Sequence, residues 1–211
     1  MSGLSEPELT HAGLNLSNEP AGERVQINSN VFGFWVFLMS DAVIFALLFA
    51  IYGTMEGRMA GGPNPTDDFK FHSAFWETAS LLTSSFTYGM VSLMLKHRAK
   101  ARTVLFWLGI TFCLGVAFLY LETHDFLDMF HHGATPEADG WISAFFVLVG
   151  MHGFHVTCGL IWILAMGAQI LIFGLDRRVK INLIRLGLFW HFLDVIWVVI
   201  FSVVYLQGLL K

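Results

Sequence analysis

The sequence has 211 residues, 55% of them hydrophobic and 13% charged, with 21 phenylalanines and a formal net charge of −4. Charged residues make up about a quarter of an ordinary water-soluble domain, so this composition excludes that class. A nucleic-acid-binding arm is excluded too, because the N-terminal tail sets Glu6, Glu8, Glu19 and Glu23 against the single Arg24.

Residues 1–29 read as a polar tail rather than a signal peptide, since the apolar run that follows is too long and no small-residue cleavage pattern comes after it. A bilayer crossing takes about 20 predominantly apolar residues, and residues 30–211 supply five such segments, at 31–52, 74–95, 103–121, 141–173 and 186–210. The only Asp, Glu, Lys or Arg side chains inside them are Asp41, Glu77 and Asp194. Barrel strands would alternate in polarity over about 10 residues, whereas continuous apolar runs satisfy their backbone polar groups only as helices. The expected fold is an all-α membrane protein with five transmembrane helices.

In the first segment Asp41 follows Ser40 well inside the apolar run, which suits a hydrogen-bond partner between helices, a proton-pathway group or a contact to lipid or a neighbouring subunit. The following connection, Gly61-Gly62-Pro63-Asn64-Pro65, is rich in turn formers and predicts an ordered loop. Glu77 opens the second segment and shares a helix face with Ser80, Ser84 and Thr87, a stripe suited to close packing and hydroxyl bonding against another helix, or to holding water beside a carboxyl that exchanges a proton.

Glu122, His124 and Asp125 are expected to close the third helix, beside a connection that also carries Asp128, His131, His132, Glu137 and Asp139. The fourth segment has no Asp, Glu, Lys or Arg from 140 to 175, too long for one minimal span and too short for two spans and a turn. It reads as one long tilted helix. Within it, His152 and His155 stand three residues apart on one face; in the fifth segment His191 and Asp194 do the same. Histidines with a carboxylate suggest a metal site. Mutual hydrogen bonding across buried helices gives the same pattern, with Gly150, Gly153 and Gly159 permitting close approach. Cys113 and Cys158 have no metal-site spacing and read as small buried hydrophobes.

Basic residues set the orientation. Lys96, Arg98, Lys100, Arg102, Arg177, Arg178, Lys180 and Arg185 join Arg24 on one side, leaving Arg58, Lys70 and Lys211 on the other. The positive-inside tendency then predicts a cytoplasmic N-terminus and a periplasmic C-terminus.

Several blocks occur in register over residues 31–206: Gly33-Phe34-Trp35 with Leu38-Met39-Ser40-Asp41; Glu77-Thr78 with Ser84-Ser85-Phe86-Thr87-Tyr88-Gly89-Met90; Glu122 before Asp125-Phe126; His152-Gly153-Phe154-His155-Val156; and Trp190-His191-Phe192-Leu193-Asp194-Val195-Ile196-Trp197. Together they resemble subunit III of the haem-copper oxidases, and within that family the cytochrome bo-type ubiquinol oxidases. The resemblance implies a noncatalytic subunit of a proton-pumping quinol oxidase in the bacterial inner membrane, with no cofactor of its own. Haems and copper would belong to subunit I, its direct partner, with subunits II and IV in the same complex and ubiquinol as substrate of the whole. It also implies bound phospholipid and helices in two groups around a lipid-filled cleft. Asp125 stands where relatives often have glutamate, which keeps the charge and shortens its reach. Competing expectations are subunit III of a cytochrome c oxidase and a proton channel or transporter.

Overall fold

The computed structural model describes residues 21–55, 71–97, 100–131 and 140–206. The tail up to residue 20, the Gly61–Pro65 loop, His132, Glu137, Asp139 and the basic residues Arg58, Lys70, Arg98 and Lys211 lie outside the described residues. Among the described residues every element is helical. The helices are α1 (Ala21–Met55), α2 (Phe71–Lys96), α3 (Ala101–His131), α4 (Gly140–Phe173) and α5 (Arg177–Ile200), and α5 runs on into a π-helical stretch, Phe201–Leu206.

Four of the five are long and apolar enough to cross a membrane: Val31–Met55 within α1, Ala101–His131, Gly140–Phe173 and Arg178–Val204. α2 is long enough at 26 residues, but Thr78, Ser80, Thr83, Ser84, Ser85, Thr87 and Ser92 make it the hydroxyl-rich member.

Helix ends depart from the apolar segments for identifiable reasons. α1 already includes residues 21–29, assigned above to the tail, because polar residues without Pro or Gly beyond Gly22 do not oppose a helix. α3 does not close at Glu122, His124 and Asp125. It continues to His131, with His124 Nδ1 3.6 Å from Asp128 Oδ2 one turn on. α5 starts at Arg177, nine residues before the apolar stretch, because the preceding turn is short. Gly174 takes φ +70°, its N–H bonds to Ile170 O at 2.9 Å, and Asp176 is extended at φ −69°, ψ 162°. A left-handed glycine of this kind stops a helix and reverses the chain, so α4 and α5 return as neighbours.

The short connection at residues 97–100 likewise makes α2 and α3 an extensively packed pair. α5 lies at the centre, against α1, α2 and α4, while α1 packs on α4 and α5 at the edge. Half of the α5 span is buried within the protein against 11% of the α1 span. Since α2 also meets α5 and α3 also meets α4, the described helices form one connected bundle.

Trp190 explains the closeness at the centre: a Cβ added at Gly115 of α3 would stand 2.9 Å from its ring, and one added at Gly159 of α4 would stand 3.0 Å from it. Large apolar side chains such as Phe32, Phe37, Phe106, Ile161 and Leu171 face outward, an arrangement suited to acyl chains or partner helices and costly in water. Cys113 and Cys158 are on this outer surface rather than in the core.

Candidate functional site

Most of the polar residues that stood out in the sequence gather in three places between helices, each with its own chemistry, while His152 makes a separate contact between α4 and α5.

The first joins α1 to α4. Asp41 Oδ2 lies 3.1 Å from His155 Nε2, an ion-pair distance at which the oxygen gains no well-aligned hydrogen bond. His155 Nδ1–H donates to Met151 O at 2.7 Å. The ring sits against Phe45 and Phe189 at centroid separations of 5.3 and 6.4 Å. Because a carbonyl only accepts, Nδ1 must carry a proton, and a second proton on Nε2 makes imidazolium beside carboxylate. With that proton on Asp41 instead, both groups are neutral. Either arrangement leaves the pair without net charge, which makes it tolerable in a membrane interior.

His152 shares a helix with His155 but not its partners. It is fully buried, its Nε2–H donates to Leu193 O of α5 at 3.2 Å, and its ring lies between Trp197 and Phe118 at 5.1 and 5.6 Å. The two histidines thus serve separate contacts.

The second place joins α2, α3 and α5. Trp190 Nε1–H donates to Ser84 Oγ at 3.0 Å, Ser84 Oγ–H donates to Leu81 O at 2.7 Å, and the Thr87 and Thr111 hydroxyls meet at 2.8 Å. Trp197 Nε1–H donates to Thr78 Oγ1 at 3.1 Å, and Tyr88 O–H donates to Leu183 O at 2.7 Å. His191 Nδ1 is 2.8 Å from Ser85 Oγ and 3.5 Å from Asp194 Oδ2. Next to His191 an apolar groove of about 380 Å³ opens between α2 and α5, with Leu93, Ile184 and Leu188 on its walls and Lys96 among its lining residues.

The third place joins α2, α3 and α4 and is acidic. Glu77 and Glu122 are both buried. Neither oxygen of Glu77 has a hydrogen-bond partner among the described residues, nor has Glu122 Oε1. Glu77 is within electrostatic reach of both Glu122 and Asp125. Asp125 Oδ1 accepts from Ser73 Oγ–H at 2.8 Å, tying the start of α2 to α3. Glu122 lies flat on Gly153 of α4, where an added Cβ would come within 2.7 Å of Oε2 and 2.8 Å of Oε1.

Among the described residues no three His, Cys, Asp or Glu side chains converge as metal donors. The predicted residues distribute over separate helix contacts instead. Sequence reasoning missed Thr78, Tyr88, Thr111 and the indoles of Trp190 and Trp197 as polar partners. The hydroxyl-rich second segment was the available signal for Thr78 and Thr111's partner Thr87; nothing in the spacing marks Trp190 or Trp197 as donors.

The family described as cytochrome c oxidase subunit III matches residues 22–209, nearly the whole chain. The chain belongs to the cytochrome c oxidase subunit III family. This subunit III chain is 45% identical over 182 residues to the cytochrome bo(3) ubiquinol oxidase subunit 3 of Pseudomonas aeruginosa, covering 86% of this chain and 87% of that protein. It is 40% identical over 192 residues to the protein of the same description from Buchnera aphidicola subsp. Baizongia pistaciae, covering 89% and 98%. With the quinol oxidase subunit 3 of Bacillus subtilis it shares 37% identity over 202 residues, covering 95% and 98%. Subunit III of haem-copper oxidases lacks the redox centres, which sit in subunit I.

Proposed function

We propose that this chain is the noncatalytic third subunit of a proton-pumping ubiquinol oxidase of the cytochrome bo type in a bacterial inner membrane. It crosses the membrane five times, α2 included, with residues 1–29 and the N-terminus on the cytoplasmic side and the C-terminus in the periplasm. The direct partner is subunit I, which carries the haems and copper; subunits II and IV complete the complex, and ubiquinol is the substrate of the whole.

The observation that carries the reading is family membership over residues 22–209, joined to relatives described as quinol oxidase subunits. The interior supports it: Asp41, His152, His155, Ser84 and Trp190 are spent on contacts between helices. Such a chain works by being a rigid, apolar neighbour to the catalytic subunit. α2 fits a span because its hydroxyls bond inward, as Ser84, Thr78 and Thr87 do, leaving side chains such as Phe75, Leu82, Phe86 and Leu93 outside.

The same reading includes bound phospholipid. The α2–α5 groove combines apolar walls with Lys96 at the basic end of α2, a pairing that suits an acyl chain and an anionic head group.

Gentle detergent extraction tests the proposal. The chain should be recovered with haem- and copper-bearing subunits in a complex that oxidises ubiquinol; recovery as a free monomer would overturn it. A complex that accepts electrons only from cytochrome c would favour the alternative named by the family description, and proton transport by the reconstituted chain alone would favour a channel or transporter.

A further inference from the structure

The α2–α3 contact carries a run of ionisable side chains whose exposure falls step by step. Near the end of α3, His124 and Asp128 are 57% and 31% exposed, and Asp125, 4.0 Å from His124, is 22% exposed. One turn further in, Glu122 and Glu77 are 5% and 1% exposed. The register is set by Ser73 Oγ–H, which donates to Asp125 Oδ1 at 2.8 Å. The short connection makes α2 and α3 antiparallel neighbours. Four residues on from Ser73 and three back from Asp125 is therefore one turn inward on both helices, and it sets Glu77 opposite Glu122.

Beyond that pair the run stops. The next turn carries Leu81 on α2 and Phe118 on α3, both buried. The other helices packed here have their polar groups committed elsewhere. α4 presents Gly153, on which the Glu122 carboxyl lies, and beside it His152, whose Nε2–H goes to Leu193 O. α5 presents Trp197, whose indole N–H goes to Thr78, and Asp194, which stands 3.5 Å from His191. The described side chains of the π-helical stretch carry no titratable group. Both oxygens of Glu77 and Oε1 of Glu122 are thus left without a hydrogen-bond partner among the described residues. Two unpaired negative charges facing each other in an apolar interior are strongly unfavourable, and a bound proton relieves that cost.

We propose that Glu77 and Glu122 form a proton-binding pair that fills from water at the open end of α3 through Asp125. The Asp125 carboxylate takes a proton from water and releases it inward: its O–H bond breaks as an O–H bond forms on a glutamate, and the charge of the pair rises by one. The two rungs are one helical turn, about 5.4 Å, apart, a gap that two hydrogen bonds through one water molecule span. Leu81 and Phe118 close the inner end, so protons enter and leave by the same route. The pair stores protons and does not conduct them onward. This goes beyond the supporting role proposed above and concerns side chains of this chain alone.

Infrared spectroscopy of the protein, purified in gentle detergent with whatever subunits accompany it, tests the proposal. At a pH where exposed carboxyls are ionised, the parent should show a carboxylic C=O band that Glu77→Gln and Glu122→Gln each shift and that the double variant loses. In heavy water that band should move as deuterium replaces the proton. Asp125→Asn, which still accepts from Ser73, should slow the exchange by about tenfold or more while the unfolding midpoint stays at the parent value. A purely structural role for Asp125 would leave the exchange rate unchanged, and that result overturns the route. A double variant that keeps the parent band overturns the pair. If the double variant does not accumulate, the single variants decide: a shifted band upholds the pair, and a band identical to the parent's refutes it.

Discussion

Asp41 of α1 and His155 of α4 face each other at 3.1 Å with the outer ring nitrogen between them, while the inner nitrogen is fixed on Met151 O. The pair fastens the most peripheral helix, since among the described residues α1 packs chiefly on α4 and α5. Replacing either residue by leucine strands its partner in an apolar setting. Each of Asp41→Leu and His155→Leu should lower stability by about 1–2 kcal/mol, the range for polar contacts between membrane helices. The double variant should cost less than the two single losses combined. Thermal unfolding of the detergent-solubilised chain reads all three; strictly additive losses would show that the two residues do not act together.

A second expectation comes from the glycines around Trp190. That ring is held by its bond to Ser84 Oγ at 3.0 Å, so it cannot swing aside for a methyl at Gly115, where an added Cβ would also stand 2.8 Å from Leu160. Gly115→Ala should destabilise by about 1–3 kcal/mol through overpacking. Gly109→Ala on the same helix, where the added methyl meets nothing within 4 Å, should be neutral or slightly stabilising because alanine is the better helix former. Equal effects at the two glycines would remove the packing argument.

These two regions show what was readable in advance. Asp41, His152, His155, His191 and Asp194 were visible as polar residues inside apolar runs, because a membrane interior makes each of them conspicuous. Their pairing was not visible. His152 and His155 sit three residues apart and look like one site, yet a residue pair at that spacing has enough angular spread for one to meet α5 and the other α1. Helix ends were misplaced where polarity and helicity part company: α3 stays helical through Asp125 and Asp128 to His131 because the backbone of polar turns bonds internally as well as that of apolar ones. The outward cysteines were misread for a related reason, since in lipid the outer surface is as apolar as the core.

The Trp190–Ser84 bond carries its own prediction. Ser84→Ala removes the acceptor of a buried indole N–H, and an orphaned buried donor costs about 1–3 kcal/mol. Thr83→Ala, one residue away, removes only a hydroxyl that bonds to its own helix at Ala79 O on the exposed side and should change stability by less than about 0.5 kcal/mol. Unfolding midpoints compared between these neighbours test whether the Ser84 hydroxyl serves the indole or merely its own helix.

Glu77 poses the sharpest question, because it is sealed at the α2–α3 contact with neither oxygen satisfied among the described residues and with Glu122 and Asp125 in electrostatic reach. Glutamine keeps its volume and hydrogen-bonding capacity while removing the ionisable proton. If Glu77 serves the packing of α2 on its neighbours, Glu77→Gln is close to silent and Glu77→Leu lowers the yield of assembled complex. If it serves proton exchange, Glu77→Gln shortens sustained turnover while the haem absorption and the initial rate of quinol oxidation stay at the parent level, since the redox groups belong to subunit I. Time courses of oxygen consumption by the purified complex separate the two. Loss of the haem spectrum in a fully assembled Glu77→Gln complex would contradict both, because it would place this carboxyl in contact with a redox group that a supporting subunit does not touch.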